Sequence, residues 1–265
     1  MSVISLLPSR TIALSIGPVD VHWYGIMYAV AFILGMFLLP RLQKITRLDL
    51  SERDRESLLI SVFLGVLLGG RLGFVFFYGG SYFLENPWKI LAVWEGGMAS
   101  HGGFLGVALA LLLFVWRRRI DFFRLTDTIL IPVALGLALG RVGNFINGEL
   151  YGTLTTLPWG MHFPGAEGLR HPTQLYAIDK NLAIALCSFL ALRAWYREEP
   201  VRTGRVTALF LMLYAVLRFT VEIFRDQPYG YTDIAGVLLS RGQLLTLPLL
   251  LLGITLFVLR SRRAA

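Results

Sequence analysis

Long apolar stretches separated by short clusters of charge recur along the whole chain. Residues 21–40 run for twenty positions without a formal charge, about what a helix rising ~1.5 Å per residue needs to cross a ~30 Å hydrocarbon core. Six further stretches have comparable length, at residues 57–79, 98–116, 127–145, 173–192, 206–224 and 243–259. None shows the ~10-residue alternation of a membrane β-barrel, so the pattern predicts seven membrane helices. Asp179, Lys180 and Asn181 interrupt the fifth. The expectation is an all-α integral membrane protein. It is read as a single polytopic domain over residues 1–265, with ordered loops at 80–97 and 146–172.

Composition sharpens this picture. Hydrophobic residues make up 55% of the chain and charged ones 16%, against roughly 25% charged in an average soluble domain. A soluble globular protein and a disordered chain are both excluded. One cysteine leaves no room for an intramolecular disulfide framework or a multi-thiolate zinc site. The four histidines show no ligand spacing, so neither a metal nor a cofactor is expected.

The distribution of basic residues sets the expected orientation. With the N-terminus outside and the C-terminus cytoplasmic, sixteen Lys and Arg fall on the inner side, five outside and four within the spans. The positive-inside rule then accounts for the net charge of +8 without any nucleic-acid partner. The first twenty residues lack the basic start and A-x-A-like site of a signal peptide, so the first helix is expected to be an uncleaved anchor.

Charged side chains inside the spans are the candidates for function, because each costs about 2.5–3.5 kcal/mol at mid-membrane. Counting ~1.5 Å per residue, Arg71 and Arg141 lie about 21 Å above the inner boundary and Arg218 about 18 Å. Tyr24 and His101 each stand three residues into a helix entering from outside. Five polar residues on five helices are thus expected to share the outer half of the bilayer. A cationic pocket at that depth suits a lipid phosphate, which the planar fork of arginine binds bidentately.

Plainer readings compete at several positions. Arg218 and Glu222 are i, i+4 neighbours able to neutralise each other, with Tyr214 one turn earlier. Asn144 shares a face with Arg141 but brings no charge. Arg71 is read as structural, snorkelling or pairing with Glu95 or Glu149. Cys187 is read as a small packing residue, and His22 and Trp23 as part of an interfacial aromatic belt. Asp179 and Lys180 remain unassigned. Residues 64–74 (LGVLLGGRLGF) and 135–145 (LGLALGRVGNF) echo each other, consistent with small residues at close helix crossings. Residues 143–152 (GNFINGELYG) form the densest polar stretch, and their position beside Arg141 suggests a headgroup-binding loop.

At residues 140–152, GRVGNFINGELYG, the chain resembles the prolipoprotein diacylglyceryl transferase family of bacteria. The resemblance extends through HWYG at 22–25, GGRLG at 69–73, GGMASHGG at 96–103 and RHPTQLY at 170–176. It continues through YAVLRFTVEIFR at 214–225 and GQ at 242–243, spanning nearly the whole chain in order. It implies seven membrane helices in the bacterial inner membrane and an active site toward the periplasmic half. The implied activity transfers a diacylglyceryl group from phosphatidylglycerol to the lipobox cysteine of a preprolipoprotein, releasing glycerol phosphate. The implied catalytic residues are Tyr24, His101, Arg141 and Arg218. Arg141, Arg218, Asn144, Glu149, Gly152, Tyr214 and Glu222 are the implied substrate ligands. Where the family usually has Glu after RHPTQLY, this chain has Ala177, and the next acid is Asp179.

The residues meet the demands of that chemistry. A thiol with pKa ~8.5 must lose its proton to attack carbon. The departing phosphate needs its growing charge stabilised, a task for Arg141 and Arg218. Histidine titrates near working pH, so His101 is a candidate base; an alternative role is orienting the headgroup. A lipid or anionic-solute transporter would use the same arginines purely for binding, although transporter sites usually lie nearer the midplane.

Overall fold

A computed structural model describes residues 11–262 except 18, 94, 95, 199, 200, 228, 229 and 235. Glu95, read above as a partner for Arg71, lies outside the described residues, as do Arg10 and Arg263 from the count of basic residues. Strands β1 (Ile12–Ile16) and β2 (Val19–His22) form an antiparallel hairpin that leads directly into α1 (Trp23–Thr46). There follow α2 (Glu52–Tyr78), the single-turn α3 (Tyr82–Glu85), a 3-10 turn at Pro87–Leu91 and α4 (Ser100–Arg118). Then come α5 (Phe122–Asn147), α6 (Thr173–Trp195) and α7 (Arg205–Ile223). A second hairpin, β3 (Tyr231–Ile234) and β4 (Val237–Ser240), precedes α8 (Arg241–Ser261).

Among the described residues, seven helices, α1, α2 and α4 to α8, are long and apolar enough to cross a bilayer. Large apolar side chains such as Phe37, Leu113, Leu190 and Leu251 point outward, as they do when the solvent is lipid. The chain is a multi-pass helical membrane protein. Cys187, expected to pack inward, is one of the exposed side chains on α6.

Among the described residues, five of the seven helices outrun the apolar stretches that announced them, α4 and α7 being the exceptions. Hydropathy marks the edge of the hydrocarbon, whereas the backbone ladder continues until a cap or a left-handed residue stops it. The helix α1 continues through Arg41 and Lys44 and stops at Arg47 (φ 54°). The start of α2 is a capping box in which Ser51 Oγ accepts from Asp54 N at 3.2 Å and Asp54 Oδ2 accepts from Ser51 N at 3.1 Å. The interrupted fifth span is one unbroken helix, α6, with Lys180 and Asn181 buried and Asp179 exposed.

The described residues cluster into two compact units. One, Arg47–Leu125, is built on the crossing of α2 and α4. Glycine alone permits this crossing. A Cβ on Gly65 would stand 2.8 Å from Gly106 O, and one on Gly73 would stand 2.7 Å from Gly102 Cα. The small-residue reading of 64–74 holds here. In its echo at 135–145 the packing is looser, Gly136 facing Ala31 at 3.5 Å and Gly143 facing the Tyr24 ring at 3.2 Å. Arg71 belongs to this first unit and corrects an expectation. Its guanidinium neither snorkels nor pairs with Glu149. It donates instead to the carbonyl oxygens of Ile90 (2.9 Å), Gly96 (2.5 Å), Gly97 (3.2 Å) and Lys89, and lies over the Phe83 ring. It is therefore a structural clasp for the loop before α4.

The other unit contains α1 and α5 to α8. Its core joins Leu42, Ile131, Leu192, Tyr196 and Val206 at one end to Ala134, Ile184, Ala185 and Phe210 further along. A buried carboxylate pins the first end. Asp127 accepts from Tyr196 Oη (2.8 Å), Gly204 N (2.7 Å), Thr207 N (2.7 Å) and Thr207 Oγ1 (2.6 Å). It thereby serves the open amides where α7 begins. The opposite end of this unit carries the polar cluster.

Candidate active site

The cluster begins where α5 ends. Arg141 and Asn144 sit three residues apart on its last turns, and Gly148 (φ 71°) breaks the helix in the left-handed region that glycine occupies without cost. Leu150 (φ 59°) holds a second, less comfortable left-handed turn. Together these turns fold Glu149 back, its N–H bonded to Asn144 O at 3.1 Å. Two side chains of α6 then fix the loop, Gln174 Nε2 donating to Glu149 O at 2.6 Å and Thr173 Oγ1 to Leu150 O at 2.8 Å.

This backbone path creates a continuous hydrogen-bond chain. Arg141 donates to Asn144 Oδ1 at 3.2 Å, and Asn144 Nδ2 donates to Glu149 Oε1 at 2.8 Å. Asn144 Nδ2 also donates to Tyr24 Oη, which itself donates to Glu149 Oε1. Four of the expected site residues, from α1, α5 and the following loop, thus form one network. Arg141 is held directly by Asn144 Oδ1, and Tyr24 and Glu149 fix the Asn144 amide in turn.

A second half of the cluster lies on α7 and just beyond it. Arg218 pairs with Glu222 at 2.7 Å, as the i, i+4 spacing suggested. Glu222 is 5% exposed and also meets Arg225 at 3.7 Å, while Gln227 Nε2 donates to its Oε1 at 3.1 Å. Gly242 presses on the same carboxylate; a Cβ there would stand 2.5 Å from Glu222 Oε1. Next to it, Gln243 completes the capping box of α8 with Ser240. Burial, reinforced by nearby Arg218, holds the Arg225 guanidinium below its ordinary range against the pull of Glu222.

The two halves belong to one electrostatic field. Arg141 is repelled by Arg218 and by Arg225, and Lys180 is repelled by Arg218 and Arg141. Three guanidiniums, with the amine of Lys180 beside them, therefore face two carboxylates, Glu149 and Glu222, leaving an excess of positive charge. Tyr214 joins this field by placing its ring 4.3 Å beneath Lys180 Nζ.

Gly152 bridges to Arg225 in antiparallel fashion, and a Cβ on it would crowd His171 Cβ at 2.7 Å and Thr173 Cγ2 at 2.8 Å. Its requirement here is close packing of backbone. His101 opens α4 in the first unit, with its side chain exposed. Arg225, one of the five basic residues counted outside the membrane, proves to be part of the cluster. Its i+3 spacing from Glu222 was the available signal. The exposed Asp179 presents a different face of α6 from the buried Ala177.

The model of the family described as prolipoprotein diacylglyceryl transferase matches residues 11–259. The chain belongs to this family. The phosphatidylglycerol–prolipoprotein diacylglyceryl transferase of Bordetella parapertussis is 44% identical over 256 residues, 95% of each chain. The enzyme of the same name from Geobacter sulfurreducens is 43% identical over 249 residues, 94% of each chain. That of Nitrosomonas europaea is 44% identical over 249 residues, 92% of this chain and 87% of its own. Membership in the prolipoprotein diacylglyceryl transferase family decides between the transferase and the transporter, both open on the residues alone.

Proposed function

We propose that this chain transfers the diacylglyceryl group of phosphatidylglycerol to the lipobox cysteine of a preprolipoprotein, forming a thioether and releasing glycerol phosphate. It does so as one polytopic domain of the bacterial inner membrane, with the site toward the periplasmic half. Alongside family membership, the observation that supports the reading is the gathering of Arg141, braced by Asn144, and the Arg218–Glu222–Arg225 cluster at ends of α5 and α7 that the following loop ties together.

Charge accounting explains why that gathering suits the reaction. A phosphodiester carries one negative charge, and the departing monoester approaches two. An excess of fixed cations with their own supports in place stabilises the departing group more than the bound lipid, which is the condition for accelerating the step. Arg141 and Arg218 hold the phosphate, Glu222 with Tyr214 orients Arg218, and Tyr24, Asn144 and Glu149 orient Arg141. The loop from Asn144 to Gly152 lies against the headgroup. His101 takes the thiol proton as the cysteine sulfur attacks the glyceryl carbon.

The reading is tested by depletion of the resident transferase in a bacterium carrying a tagged lipoprotein. Expression of this chain should restore lipid attachment, read as labelled fatty acid on the tag-purified lipoprotein and lost when its cysteine is replaced by serine. Stable expression with no label would reject the reading.

A further inference from the structure

Lys180 has no place in the roles assigned above. It lies in the middle of an apolar helix and is 7% exposed. Its Nζ donates to Asn181 Oδ1 at 2.6 Å and rests 4.3 Å from the centre of the Tyr214 ring. Neither neutralises it, and among the described residues no carboxylate pairs with it. Glu222 is taken by Arg218 and Arg225, and Glu149 by Tyr24 and Asn144. The charges that do act on Lys180 are the like charges of Arg218 and Arg141.

A buried ammonium without a counter-ion costs several kcal/mol. A cation–π seat returns about 2 kcal/mol or somewhat more once desolvated, which leaves part of that cost standing; a buried amine meets the rest by giving up its proton or by gaining an anion. An anion bound between the three cations would compensate it.

Position along the helices points the same way. Lys180 stands seven residues into α6, ~10 Å from its Thr173 end. Arg141 stands six residues, ~9 Å, from the Asn147 end of α5. Arg218 is five residues, ~7.5 Å, from the Ile223 end of α7. These three ends lie together, tied by the bonds of Gln174 to Glu149 and of Thr153 to Phe224. The three cations therefore occupy one narrow layer, with Lys180 innermost.

We propose that Lys180 is a third ligand of the lipid phosphate, its ammonium closing the inner side of the anion site formed by Arg141 and Arg218. The proposal rests on the function read above. Lys180 supplies binding more than rate, because a mobile point charge follows the phosphate through the reaction where a guanidinium fork is directional. Asn181 holds one of its three hydrogens and leaves two for phosphate oxygens.

The test compares wild type, K180M, K180R and N181D in phosphatidylcholine micelles with rising mole fractions of phosphatidylglycerol and saturating lipobox peptide. K180M should raise the apparent KM for phosphatidylglycerol about tenfold, equivalent to ~1.4 kcal/mol, with kcat within about threefold. K180R should stay within about threefold of wild type in KM. N181D leaves the lysine in place but gives it an internal carboxylate, and should raise KM as K180M does. Phosphatidylglycerol should also raise the Tm of the wild type, and raise that of K180M and N181D less. An unchanged KM in N181D or a folded K180M would overturn the proposal, as would K180R failing as badly as K180M. No transfer by the wild type under any condition would instead reject the underlying function, and the Tm comparison would still judge the anion site.

Discussion

Arg141→Lys separates charge from geometry at the centre of the site. Arginine here donates to Asn144 at 3.2 Å while its remaining N–H groups stay available to a phosphate. Lysine keeps the positive charge, so attraction of the anionic lipid survives. It loses the planar fork, so it cannot hold Asn144 and grip two phosphate oxygens at once. The Tyr24–Glu149 and Asn144–Glu149 bonds do not involve Arg141 and should persist. The expected loss is therefore one preorganised donor to a developing oxyanion, about 2.7–4 kcal/mol. At ~1.36 kcal/mol per decade this predicts kcat lower by roughly 100- to 1000-fold. KM for phosphatidylglycerol should change by less than about threefold, since ground-state attraction is mostly charge. The assay is steady-state transfer to a lipobox peptide in mixed micelles, with the peptide saturating. A kcat within fivefold of wild type would refute the claim that the fork, and not the charge alone, serves the reaction. A large rise in KM with unchanged kcat would refute it equally.

Gly242→Ala should act on the site without adding any chemistry to it, because the new methyl must displace the Glu222 carboxylate from 2.5 Å and so unseat Arg218 and Arg225. Overpacking of this kind costs about 1–3 kcal/mol, so a lower Tm and at least a tenfold loss of transfer are expected; wild-type rates would show that Glu222 does not position the arginines. His101→Gln should leave phosphatidylglycerol affinity near normal yet slow transfer, with partial recovery toward pH ~8.5 as the free thiolate fraction rises. Weakened lipid affinity without alkaline recovery would make His101 a headgroup ligand. On a Cys187→Ala background, a cysteine at Gly165 should react with an impermeant thiol reagent in intact cells and one at Ile120 should not. The reverse pattern would overturn the assigned orientation.

The seven helices were legible because lipid imposes one rule on every span, that backbone groups be bonded internally beneath an apolar surface. Their ends were not, since Arg47, Arg119 and Gly148 stop helices by backbone conformation well outside the hydrocarbon. The two hairpins escaped notice because strands of four or five residues give too few alternations to stand out beside twenty-residue apolar runs. In the cluster, the local pairs were readable. Arg218–Glu222 and Arg141–Asn144 follow from helical spacing. Long-range partners were not readable. Nothing near Arg71 in sequence announces that carbonyls from residue 89 onward will absorb its donors. Likewise Lys180 acquires its meaning only when α7 brings Tyr214 and Arg218 beside it.

The most direct test of the account is the mass of a lipobox peptide after incubation with the purified protein and phosphatidylglycerol. The account predicts a peptide heavier by one diacylglyceryl group, attached through a thioether that resists hydroxylamine, with glycerol phosphate released in equal amount. Phosphatidylethanolamine, whose ammonium meets the excess cations, should give almost none of this product. An unmodified peptide in the presence of folded protein and phosphatidylglycerol would contradict the account, and equal yields from the two lipids would contradict its electrostatic basis.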